Sequence, residues 1–451
     1  MLPDAFQPFL KDAPFCVMTR ATLESLFASE RLDELFRNTA QKQYTRELLF
    51  SQLVELMMAV VLQQQPSVYA AYRKGIGQIS VSDQSVYNKL DGMELGVSAA
   101  LVRDSAARLA PVIDALGARQ DSWLPGFRIR ILDGNHLSAT ERRLVALRDA
   151  WDSPLPGKVL AVLDQQTGLA SDVFLTPDGH ASERSLLEEV LAVVRAGDLW
   201  IADRNFCTMK FLFGIGQAKA AFVIRQHGQL EGKLLGKRRY VGRTATGAVY
   251  EQAILVNFQG QRKRLRRISV VLDKPTRDGD TEIHLLTNLS RKKASALVVT
   301  ELYRRRWTIE GRFLEMSQTL QAEPQALAYP KAALFAFCLA LLASNATALL
   351  KAALRAEHGP EAVETLSVYY AALDIQQVHR GMMIALPAPH WERFRVLSAV
   401  ELAAALREMA RAIDLVRYRK ATRGPKKPVA RKVYRNGGHV STHKLLQRQE
   451  Q

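Results

Sequence analysis

Between Phe127 and Arg225 the chain repeats a pattern that few folds accommodate: short apolar runs that stop at an acid or a turn. FRIRILD (127–133), KVLAVLD (158–164) and LWIAD (199–203) each finish on an aspartate, and ASDVFL (170–175) and AAFVIR (220–225) are runs of the same kind. Their length and their β-branched and aromatic content predict strands. Ser182–Val194 carries a helix start signal and helical spacing. Three strands in hairpin succession, a helix and two further buried strands predict an α/β domain with a mixed sheet. An ionised carboxylate at the end of a buried strand is costly unless it meets water, a cation or a metal. The edge of such a sheet is also where sites form. Asp133 and Asp203 are therefore candidates. Asp164 competes with them on the same pattern, whereas Glu188 and Glu189 read as solvated, and Asp273, Asp278 and Asp280 as turn residues. His136 reads either as a loop residue or as a support for Asp133.

The flanks differ. Residues 1–125 read as helical, with apolar residues at helical spacing in Thr45–Leu62 and a capped segment at Ser80–Leu90. The latter is either the second helix of a helix-turn-helix, presenting Gln84, Ser85, Asn88 and Lys89, or plain packing. Residues 225–284 are β-rich and basic, a small insert after the first part of the core (126–224). Helices return over 285–375, and 376–451 holds further helices and a Pro-, Gly- and Lys/Arg-rich tail, in which 423–438 is expected to lack a fixed fold when free. The uncharged run between Lys331 and Lys351 is just long enough to span a bilayer, but its Ser344, Asn345 and Thr347 predict a buried helix. The start, MLPDAFQPFL, has no basic region followed by an apolar run and is not expected to be a signal peptide. Cys16, Cys207 and Cys338 build neither a disulfide framework nor a metal-ligand spacing, so a reducing cytoplasm is expected.

Charge narrows the partner. Lys plus Arg number 62 against 45 Asp plus Glu, a formal charge of +17. Residues 417–451 carry 11 basic residues and one acid, and 225–267 carry 11 and two, which leaves the rest of the chain at −2. Two separated basic patches on a nearly neutral body predict two contact surfaces for one long polyanion. Phosphate-loop, HExxH and G-x-S-x-G motifs are missing from the sequence.

The third candidate acid lies in ELYRRRWTIEGRFLEMSQTL (301–320), where Tyr303, Arg306 and Glu310 share a helical face. Asp133, Asp203 and Glu310 converging from two strands and a helix would hold two divalent cations, Mg²⁺ or Mn²⁺ by the hardness of the ligands. Such a pair cuts and joins phosphodiesters, with Tyr303 and Arg306 holding the strand.

Tyr303, Arg306, Trp307 and Glu310, with Phe313, resemble the Y-x₂-R-x₃-E signature of the insertion-sequence-4 family of bacterial DDE transposases. ILDGNHL and IADRNF resemble the segments around that family's two catalytic aspartates. The resemblance covers roughly Phe127 to Leu320. It implies an RNase H-like (retroviral integrase-like) catalytic core with a β-rich insert, flanked by an N-terminal helical DNA-binding domain and a C-terminal helical region with a basic tail. It implies Asp133, Asp203 and Glu310 as catalytic metal ligands for two ions, with Tyr303 and Arg306 on the transposon end. Double-stranded DNA is the implied partner, both as terminal inverted repeats and as target, with a homodimer forming on it and no membrane. Trp307, Arg312, Lys426 and Lys427 are further expected DNA contacts. The family lysine seven residues after the glutamate is Ser317 here, so its phosphate contact falls to another group such as Arg312 or Lys331. The expected function is cutting at the ends of an insertion sequence and joining the 3′-hydroxyls to target DNA, in a bacterial cytoplasm at the nucleoid. A nuclease without strand transfer, or a decayed or domesticated DNA-binding protein, are the rivals.

Overall fold

A computed structural model describes residues 3–43, 47–148, 152–276, 279–421 and 439–449. Its strands are β1 (Arg128–His136), β2 (Ser153–Leu155), β3 (Lys158–Asp164), β4 (Ala170–Thr176), β5 (Asp198–Ala202), β6 (Ala221–Arg225), β7 (Lys233–Thr244), β8 (Gly247–Phe258), β9 (Gln261–Leu272), β10 (Glu282–Thr287) and β11 (His439–Ser441). Nine of them form one sheet in the order β4-β3-β1-β5-β6-β10-β9-β8-β7. β1, β5 and β6 are parallel neighbours, while β1–β3 and β3–β4 are antiparallel. The sheet is thus the mixed one expected. The insert is not separate, because β9 pairs with β10 from Glu282↔Val271 to Thr287↔Arg266. Its three 12-residue strands continue the sheet instead. Alternation alone could not show this: an insert strand and a core strand have the same period.

The alternating apolar residues sort the two faces of the sheet. Leu132, Leu160, Trp200 and Ala202 join one buried cluster with residues of the helices Leu187–Val193 and Met209–Gln217. Ile129, Ile131, Leu199 and Ile201 join another with Val299, Leu302, Tyr303 and Ile309. The odd-numbered positions of β1 and β5 therefore face the helices that follow β10.

A third cluster is all helical apart from β4 and its surroundings, and it is drawn from both ends of the chain. Its centre is Pro330–His358, opened by Pro330 and closed at Gly359, where φ is +83°. This is the one helix among the described residues long and apolar enough to cross a membrane, and 94% of its apolar window is buried inside the protein. Such all-round apolarity suits a helix packed on every side. Asn345 is its polar tie. The amide accepts from the Ala170 backbone N–H at 2.7 Å and donates to Ala170 O at 3.0 Å and to Ser105 Oγ at 2.9 Å. It thereby fastens β4 to the helical core.

The expected helix over 301–320 is two, Ala296–Arg304 and Trp307–Thr319. The bonds Arg306 N–H to Tyr303 O and Ile309 N–H to Arg306 O span three residues rather than four, so the ladder tightens and turns at Arg305–Arg306. The segment Ser80–Leu90 forms most of the helix Asp83–Asp91, capped by Ser82 Oγ. Gln84, Ser85 and Asn88 are exposed, while Lys89 lies over the Phe36 ring at 4.5 Å.

Candidate active site

The register of β1 and β5 does most of the assembly. Ile131 pairs with Ile201 and Leu132 with Ala202. The next residues of the two parallel strands are Asp133 and Asp203, so the carboxylates start about 5 Å apart on one face. That face carries the helix pair after β10. The turn at 305–306 swings Arg306 toward the strand ends: its Nη1 donates to Asp133 Oδ2 and its Nη2 to Glu310 Oε1, both at 2.6 Å. The Tyr303 hydroxyl donates to Asp203 Oδ1 at 2.9 Å. Asp133, Asp203, Tyr303, Arg306 and Glu310 thus come together, although the continuous helical stripe that suggested the last three does not exist.

The electrostatics are those of too many acids for one base. Arg306 and Asp133 are nearly buried, with 7% and 14% of their side chains exposed, whereas Glu310 is 37% exposed. Burial raises the Asp133 carboxyl to about 6, against the pull of Arg306 and the Gly134 N–H, and the negative charges of Glu310 and Asp203 push it the same way. Burial also raises the Tyr303 hydroxyl, with Asp203 adding to it, so the phenol stays protonated and a donor. Burial opposes the charge on Arg306, but Asp133, Tyr303, Asp203 and Glu310 together outweigh it and fix the guanidinium as a cation.

The donor set is oxygen only, which suits a hard divalent cation. Among the described residues no three His, Cys, Asp or Glu side chains are grouped to hold an ion as they stand. Arg306 supplies the counter-charge, and its buried Nε has no hydrogen-bond partner among the described residues.

Other expected residues fall elsewhere. Trp307 is 64% exposed, 5.8 Å from the Arg306 guanidinium. Arg312, expected at the DNA, is bonded within the protein. It points inward, donating to Ser344 O and Oγ at 3.1 Å and to Gly168 O. These three bonds tie the helix Trp307–Thr319 to the helix Pro330–His358 and to the turn before β4. Ser317 is exposed and donates only to Leu314 O, at 2.9 Å, while Lys331 is exposed. Lys426 and Lys427 lie outside the described residues, as does Asp278. Asp164 pairs in register with Arg130, three residues before Asp133 along β1, and caps its own turn through the Gln166 and Thr167 N–H groups.

Sequence reasoning missed Glu183. It is 9% exposed and accepts from the Asn205 side-chain amide, and its carboxylate lies 3.7 Å from His136 Nδ1. It precedes two exposed-looking acids on a capped helix start, and only its spatial partners distinguish it.

With the three carboxylates in place, the match to known proteins covers the whole site. Residues 125–346 match the family model described as Transposase DDE domain. That range runs from just before β1 into the 330–358 helix and contains Asp133, Asp203 and Glu310. A curated relative, "Putative transposase y4zB" of Sinorhizobium fredii (strain NBRC 101917 / NGR234), is 31% identical over 133 residues. The alignment takes in 28% of this chain and about a third (35%) of the relative's length. Among solved structures, the piggyBac transposase synaptic complex with hairpin DNA aligns over 94% of this chain and 88% of its own, at 11% identity and a TM-score of 0.39.

Proposed function

We propose that this chain is a DDE-type DNA transposase that cuts at the ends of an insertion sequence and joins the 3′-hydroxyls to target DNA. The observation that carries the reading is the meeting of Asp133 and Asp203, from adjacent parallel strands, with Glu310 around a single arginine. The transposase domain match over the same residues supports it. The order β4-β3-β1-β5-β6, with β3 alone antiparallel to the rest, supports an RNase H-like core interrupted by the β7–β9 insert. The wording YRRRWTIEGRF supports placement in the insertion-sequence-4 family.

Asp133, Asp203 and Glu310 would hold Mg²⁺ or Mn²⁺, two ions by the family pattern, which activate the attacking oxygen and stabilise the leaving one. Tyr303 keeps Asp203 oriented through its hydroxyl. Arg306 holds the acids in place until a phosphate arrives, and its fork then suits the phosphate oxygens. The exposed Trp307 packs against the strand. Exposed cations of the insert, with Lys426 and Lys427 of the tail, track the duplex, and two chains bring two DNA ends together in a bacterial cytoplasm. The helical residues 1–125 bind the terminal repeats.

The test is incubation with Mg²⁺ and the DNA flanking this chain's own gene, wild type beside Asp203→Asn. Nicking at the element ends by the wild type alone supports the reading. Salt-sensitive binding without cutting, in Mn²⁺ as well, replaces it with a DNA-binding protein. Cutting without joining replaces it with a nuclease.

A further inference from the structure

Asp133 and Asp203 reach the site from one face of the sheet, and the opposite face has a buried acid of its own. Glu183 starts the turn Glu183–Leu186, ahead of the helix Leu187–Val193. It touches both aspartate segments from behind. In β1, successive side chains alternate, so Gly134 and His136 face away from Asp133. A Cβ added to Gly134 would collide with the Glu183 carboxylate, which means the glycine is there to let the acid lie against the strand. His136 on the same face lies 3.7 Å from the same carboxylate. The other Glu183 oxygen accepts from the Asn205 amide, two residues past Asp203. Arg184 completes the grip, its Nε donating to Asn205 O at 2.8 Å. Asn205 belongs to the short turn Arg204–Phe206, which begins immediately after Asp203.

We infer that Glu183 is a positioning residue: a strut behind the sheet that fixes β1 beyond Leu132 against the end of β5 and so sets the separation of the Asp133 and Asp203 carboxylates. Two parallel strands share their last ladder pair at Leu132↔Ala202, one residue short of the acids. Beyond that point the backbone ladder no longer holds them in register, and the Glu183–Asn205 bond and the close approach of Glu183 to Gly134 continue the coupling. Groups that orient ligands in this way are commonly worth 10–100-fold in metal affinity or activity. This deepens the transposase reading and rests on it only for the use to which the metal is put.

The test compares Glu183→Ala, Glu183→Gln, Gly134→Ala and the double variant Gly134→Ala/Glu183→Ala with wild type. Mn²⁺ binding is measured by calorimetry without DNA, and backbone amide exchange over 133–136 and 203–207 without metal. Glu183→Ala should weaken Mn²⁺ binding about 10–100-fold and speed exchange in both segments together. Glu183→Gln, whose side-chain oxygen still accepts from Asn205, should stay within a few-fold of wild type. Gly134→Ala should be impaired, and the double variant should recover part of that loss, since removing the carboxylate makes room for the methyl. Wild-type Mn²⁺ affinity and exchange in Glu183→Ala would overturn the inference. So would a double variant worse than either single, or a Glu183→Gln as defective as the alanine. A wild type that binds no Mn²⁺ but whose exchange is loosened by Glu183→Ala would refute the metal site and leave the strut standing.

Discussion

One sheet carries two opposite charge arrangements. Where the pairing of β1 with β5 stops, one arginine serves two carboxylates directly, Asp133 and Glu310, with Asp203 close enough to act on both. In the insert one carboxylate serves three arginines: Glu251, 3% exposed, accepts from Arg266 at 2.8 Å and Arg291 at 2.9 Å and lies 3.8 Å from Arg239. Burial by itself would raise the Glu251 carboxyl, but the bonds from Arg266 and Arg291 outweigh it and hold it below the usual range. The acid-rich end retains negative charge that a metal can neutralise. The base-rich end retains positive charge, with Glu251 stapling strands to the 289–294 connection through Arg266. Under the proposed function, these two parts of one sheet would meet the two components of one substrate complex, the cation and the polyanion.

Removing the minority partner at each end sharpens the contrast. Arg306→Gln should cost about 3 kcal/mol in metal-free urea unfolding, the size expected when a buried pair loses one member. Saturating Mg²⁺ should restore part of the loss. Glu251→Gln should cost about 2–3 kcal/mol by the same mechanism, with no recovery in Mg²⁺. Equal behaviour of the two variants toward Mg²⁺ would erase the distinction. The pH response of Glu251 has a fixed sign. Its depressed carboxyl stabilises the fold above the ordinary carboxylate range and loses that contribution as pH falls through and below about 4.5.

A smaller effect comes from His284 on β10. Burial and the positive charge of Arg267 push it down to about 4 from 6.5, and its Nδ1 meets Ser269 Oγ at 2.8 Å. The folded state resists protonation, so stability is full above pH 6.5 and falls as pH drops toward 4. Unfolding free energies from urea titrations at pH 7 and pH 5 should differ by about 1–2 kcal/mol more in wild type than in His284→Asn. Smallest is the surface term. Replacing the exposed Lys237 and Arg239 by alanine should lower DNA affinity similarly for every sequence, and reduce the salt slope by about 0.9 for each phosphate that is no longer neutralised. An unchanged slope would detach the insert from the polyanion.

The strands around the site were legible because their apolar runs are short and bounded: β3, β4, β5 and β6 fall where the runs do, while β1 continues three residues past Asp133 to His136. Tyr303, Arg306 and Glu310 were legible from spacing, although the spacing argument assumed an unbroken helix and the structure turns at Arg305–Arg306. What stayed hidden depends on interactions between distant residues. Pairing of β9 with β10 makes the insert an extension of the sheet. Arg312 looks like a surface cation until Gly168 and Ser344 are folded against it. Asp164 and Asp133 end similar runs, and only the antiparallel register sets Asp164 beside Arg130, three residues away from Asp133 along β1. Glu183 has no local signature at all, since its partners are Gly134 and Asn205.

The most direct test of the metal site replaces one ligand oxygen with sulfur. Asp203→Cys presents a softer donor that binds Mn²⁺ or Cd²⁺ better than Mg²⁺. On DNA carrying the element ends, the variant should fall on the order of 10³-fold in Mg²⁺, as expected when several kcal/mol of metal-derived stabilisation are lost. It should regain a substantial part of that activity in Mn²⁺, while wild type changes little between the two metals. A folded Asp203→Cys protein that stays inactive in both metals, or cuts in Mg²⁺ like wild type, would contradict direct metal ligation by Asp203 and with it the central claim.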